Sequence, residues 1–83
     1  MTSQHQDAVR AAIRSMGDML TVAEALLDAG RAIDLSGLDR EVAAVCAAAV
    51  TLPVAQGRAL RGELAGLMLQ VEGIEARLRQ PPP

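Results

Sequence analysis

Apolar residues recur along most of this chain at alternating intervals of four and three, the spacing that lays one stripe down the side of an α-helix. The first run is Val9, Ile13, Met16, Leu20, Ala23 and Leu27. Met19, Val22 and Leu26 widen it on one side, while Asp7, Arg10, Arg14, Asp18, Thr21 and Asp28 occupy the opposite face. A second run is Leu38, Val42, Val45, Ala49 and Leu52, with Cys46 beside it. The third, Leu60, Leu64, Leu67, Val71, Ile74 and Leu78, follows the rule without a break. No segment sustains the two-residue alternation of a strand. The pattern predicts an all-α three-helix bundle with coiled-coil-like packing, a single domain over residues 1–80. Two long helices are expected at about 3–29 and 53–79 and a shorter one at about 37–51.

Polar and special residues set the expected ends. Ser3 with Gln6 three residues on forms a capping-box pattern. Gly30 suits the left-handed position after a helix. Ser36 is the expected N-cap of the second helix, with Asp39 in its electropositive first turn. Pro53 disfavours helix at Leu52 and favours a new helix start, so residues 51–53 read as a corner; one long helix kinked at Pro53 is the alternative. Glu75 and Arg79 stand four apart in the favourable order for a surface ion pair. The residues 81–83 are all Pro and cannot continue a helix, so a mobile extended end is expected there.

Helix length carries the main functional expectation. Helices of about 26 residues are roughly 39 Å long, against roughly 22 Å for one of about 15. A short middle helix that starts level with the end of the first cannot cover both long seams. Two strips are then expected to stay open, Val9, Ile13 and Met16 on the first helix and Val71, Ile74 and Leu78 on the third. Contiguous open apolar surface marks association, and a symmetric homodimer is the expected way to bury it. If a single chain already shelters these strips, the case for an interaction module falls, and what remains is a compact helical domain of unknown purpose. Gly62 and Gly66 join the expected interface: with Ala59, Leu69, Gly73 and Ala76 they share a face opposite the leucine stripe. Each Gly costs about 1 kcal/mol in a helix interior. The face is either a close helix–helix contact or a solvent-facing side shaped by codon bias.

Composition narrows the chemistry. The 83 residues are 51% hydrophobic, so disorder through polarity is not expected, yet Phe, Tyr and Trp are absent. The core must be built from aliphatic residues and many Ala, which makes it thin. All 8 basic residues are Arg, and Lys and Asn are missing, which reads as GC-rich coding. A net charge of −2 with interspersed signs argues against nucleic acid. No secretory signal is legible in the first residues, and the longest near-apolar stretch, from Val42 to Val54, is too short for the roughly 20 residues of a membrane span. The lone Cys46 fits a reducing cytoplasm.

No catalytic, cofactor-binding or metal-binding set is expected. Cys46 lies among alanines and valine with no base nearby in sequence, the setting of an inert packing thiol. His5 stands alone near the chain start, too few ligands for a metal. Glycine-rich phosphate loops are missing. Arg58 and Arg61, at the start of the third helix, are too few for a DNA-reading helix on an acidic chain. By general type the chain is similar to small acidic helical chaperones of flagellar and type III export, although no motif carries that likeness. The expected function is a non-enzymatic protein-interaction module, an adaptor, chaperone or regulator that self-associates and holds a partner helix along its seams. A carrier of lipid or another small apolar ligand, and a transcriptional regulator, are the alternatives.

Overall fold

The computed structural model describes residues 4–79, all of whose regular structure is helical: α1 (Gln4–Asp28), α2 (Leu38–Val50), α3 (Val54–Ala59) and α4 (Arg61–Arg79). The expected boundaries of the first two helices hold to within a residue. Ser3 and the final prolines lie outside the described residues. α1 ends in a Schellman arrangement. Gly30 has φ 76°, its N–H donates to the Leu27 carbonyl at 3.0 Å, and the Arg31 N–H reaches back to Leu26 at 2.9 Å.

Two expected details are corrected. The N-cap of α2 is Gly37, at φ 85°, and not Ser36. Ser36 is drawn into the preceding turn, where its N–H (2.9 Å) and its hydroxyl both donate to Asp34 Oδ1. The expected third helix is two helices, broken at Leu60. Segment 54–59 carries none of the leucine stripe and has no buried residue. Gly57 weakens it further, and the Leu60 N–H turns to the Gly57 carbonyl (3.1 Å) in a tightened last turn. The Leu60 side chain is thereby fully buried. The corner at residues 51–53 is as expected: Thr51 caps α2 and Pro53 caps α3, so no helix runs through Pro53.

α1 and α4 run parallel, as three polar links climbing the pair show. Arg10 meets Glu63 at 3.5 Å, Gln70 Nε2 donates to Thr21 Oγ1 at 3.0 Å and to the Gly17 carbonyl at 3.4 Å, and Arg77 meets Asp28 at 2.8 Å. α2 runs antiparallel to α1. Glu41 near its start borders the same hollow as Met19, and Thr51 at its end hydrogen-bonds His5 at 3.0 Å.

This register overturns the expectation of open strips. Val9, Ile13, Met16, Val71 and Ile74 are all buried within the single chain, in one cluster with Leu20, Leu38, Val42, Leu52, Leu60 and Leu67. The cause is the connection at residues 29–37. It does not turn back tightly at the end of α1; it drops α2 down to the level of Met19, so that α2 covers the N-terminal strip. Ile33 and Leu35 from the connection pack half-buried against the same core. Of the six strip residues only Leu78 stays exposed, at 45%.

Candidate interaction surface

With the core closed, the question becomes which large apolar side chains the fold leaves in water. Met19, Val22 and Leu26 form an exposed line on α1, spaced three and four. They lie on the outer side of the stripe they were expected to widen. Val50, Val54, Met68 and Leu69 are exposed on the other helices, Val50 at 82% and Val54 at 75%. Scattered single apolar residues on a surface are ordinary. A set that lines one hollow is different.

Val50, Val54 and Met68 do line one hollow. It is a groove of about 530 Å³ between the end of α2, α3 and the start of α4. Its apolar lining is completed by Ala49, Leu52, Leu64 and Ala65, and Arg58 and Arg61 stand at its edge. Local chemistry builds it. Thr51 fastens the end of α2, its hydroxyl donating to the Ala48 carbonyl at 2.7 Å while it receives His5 Nε2. Pro53, at φ −52° and ψ 147°, turns the chain into α3, and the Gly57 N–H bonds the Pro53 carbonyl at 3.0 Å. Gly57 lies against α2: a Cβ built on it would sit 3.6 Å from the Ala49 carbonyl oxygen. Buried Leu60 then anchors the chain as it enters α4.

The electrostatics of the groove edge differ from those of the rest of the surface. Arg10 and Arg77 are paired across the α1–α4 seam. Among the described residues, neither Arg58 nor Arg61 lies within ion-pair distance of a carboxylate. Glu63, two residues beyond Arg61, is turned to Arg10 on α1. The expected Glu75–Arg79 pair is not formed. The basic group that does pair in the last turn of α4 is Arg77, with Asp28.

The remaining candidates resolve simply. Cys46 is half-buried and packs against the core. His5 is exposed and bonded to Thr51. Among the described residues no three His, Cys, Asp or Glu side chains come together as a metal site, and no helix is long and apolar enough to cross a membrane. The Ser36 hydroxyl and, after it, the Ser36 N–H hold the Asp34 carboxyl below its ordinary range. Gly62, Gly66 and Gly73 have nothing within 4 Å of where a Cβ would stand, so no element of the same chain packs closely on that face.

Of the expected interface residues, the structure therefore brings Val9, Ile13, Met16, Val71 and Ile74 together as core, and leaves Gly62, Gly66 and Leu78 on the outside. The groove residues were missed as a set. One signal for them existed: Val50 and Val54 are large apolar residues that fall off every four–three stripe. No family model matches the chain, and no curated protein or solved structure is significantly similar to it.

Proposed function

We propose that this chain is a non-enzymatic, helical protein-interaction module of the cytoplasm, acting through the groove between α2, α3 and α4. One observation carries the reading. Among the described residues the fold hides thirteen apolar side chains in a core built from one chain, yet leaves Val50, Val54 and Met68 in water around a single hollow. Burying such side chains against a partner would contribute roughly 1.5–3 kcal/mol for each one fully covered. The case for an interaction module that rested on open seams of the long helices is lost, because those seams are covered within one chain, and the reading rests on the groove instead. A second copy is thus one competing occupant among several and has no privileged claim.

The carrier reading has the groove in its favour, since 530 Å³ is within the range of small-molecule sites. Against it, the Val50 and Val54 walls stand almost fully in solvent, where an apolar ligand would stay largely wet.

The test is site-specific photo-crosslinking in the source cell. A photoreactive residue replaces Val54 in one strain and Glu72, which is exposed on α4, in another. The Val54 position is expected to form a discrete covalent adduct with another protein, and the Glu72 position is not. Identical adduct patterns at both positions, or none at either, would refute the reading.

A further inference from the structure

Building on that reading, we propose that the groove receives a short amphipathic helix of a partner protein whose apolar face is flanked by carboxylates. Arg58 lies in the last turn of α3 and Arg61 opens α4, and both line the groove. On a chain of net charge −2, the edge of this hollow is basic, and neither guanidinium has a carboxylate partner in the described residues. An unpaired Arg beside an apolar surface binds carboxylate well, because its planar fork of donors matches two oxygens and its stem packs on apolar groups. The two arginines are three residues apart in sequence, one on each side of the break at Leu60. Carboxylates three or four apart on a docked helix share one face, so a single flank of that helix can present two of them to this basic edge.

The secondary structure of the occupant follows from hydrogen bonding. The groove is lined by helix side chains, and no strand edge is present among the described residues. An extended peptide laid there would press unpaired N–H and C=O groups against valine, leucine and methionine, which costs about 1–3 kcal/mol for each group left unsatisfied. A helix brings its backbone already paired and offers only side chains. The open walls favour the same choice. Val50 and Val54 can cover one side of a helix, whereas an acyl chain needs enclosure on most sides.

The probe is a pair of fluorescein-labelled amphipathic peptides of about four turns. They share one leucine stripe and differ only in flanks of Glu or of Lys. They are titrated into the full 83-residue chain by fluorescence anisotropy. The Glu peptide is expected to bind about tenfold more tightly or better, weakening as salt rises. Arg58→Glu with Arg61→Glu is expected to reverse the preference, and Arg58→Gln with Arg61→Gln to abolish it. Both positions are exposed, and circular dichroism verifies the fold of each variant. Equal affinity for the two peptides, or a preference that survives the charge reversal, overturns the proposal. So does sodium oleate binding more tightly than the Glu peptide with the same arginine dependence, which makes the groove an acyl site. A dimer that Val54→Asp dissociates overturns it in favour of a second copy. If crosslinking at Val54 captures a partner but the Glu preference is missing, this inference alone fails and the interaction reading stands.

Discussion

The α1–α4 seam and the groove beside α3 are made of the same kinds of residue and end in opposite states. The seam joins valine, isoleucine, methionine and leucine under polar links from Arg10, Gln70 and Arg77, and it is shut to water. The groove gathers valine, leucine and methionine beside two arginines that have no carboxylate partner, and it is open. Residue type does not separate the two. What separates them is whether a neighbouring element lies at the right height. The 29–37 connection lowers α2 onto the seam, while the break at Leu60 and the short α3 leave a gap that nothing in the described chain fills. In so small a helical protein, connections decide which apolar surface is core and which is available.

Substitutions that cut into the sealed side carry the largest expected effect. Leu60→Ala and Ile74→Ala each empty a fully buried site, and each is expected to lower the unfolding free energy by about 2–5 kcal/mol in urea titrations. A cost below about 1 kcal/mol at both sites would mean the seam is not packed as described.

Backbone positions repeat the contrast at smaller scale. Gly37 is held at φ 85°, so Gly37→Ala is expected to cost about 1–2 kcal/mol. Gly66 is in the middle of α4 with open space beside it, so Gly66→Ala is expected to raise stability by about 1 kcal/mol with no change of oligomeric state. A loss of stability there, or an altered sedimentation coefficient, would revive a close helix contact on that face. On the groove, Val54→Ser is expected to change stability by less than about 0.5 kcal/mol while weakening partner capture. A large loss of stability would show that Val54 belongs to the core.

The smallest effect concerns the connection that sets the register. The Asp34 carboxyl is held below its ordinary range by Ser36, so the folded chain favours the ionised form. That contribution is present above the unfolded-state pKa of aspartate and is lost as the pH falls through the lowered folded value. Urea midpoints are expected to drop on acidification through that window, and Asp34→Asn to remove this part of the drop. A variant with an unchanged acid profile would leave the Asp34–Ser36 turn without a thermodynamic role.

The three stripes were legible because burial on a helix has a local period. Leu60, Leu67, Val71 and Ile74 announce their shared face in any window of the chain. Gly30 was legible for a similar reason, since a helix end needs a residue that tolerates positive φ. The height at which α2 meets α1 was not legible, because it depends on the path of residues 29–37, and that path follows from how Ile33 and Leu35 find the core. Ion pairing was misplaced for the same reason. Glu75 and Arg79 are neighbours along the helix, whereas the Arg77–Asp28 pair exists only once two helices are set in register. The groove combines both failures: its walls come from three elements, and its emptiness follows from a break at Leu60 that an unbroken stripe conceals.

The core is closed within one chain, and the groove left open is proposed to serve a different molecule. Urea unfolding of the wild-type chain at protein concentrations from about 1 to about 100 µM tests it most directly, because linkage to self-association makes stability rise with concentration. A midpoint that stays constant across that range is the predicted result. A midpoint that climbs with concentration would contradict it, and would return the exposed valines and methionines to an interface between copies.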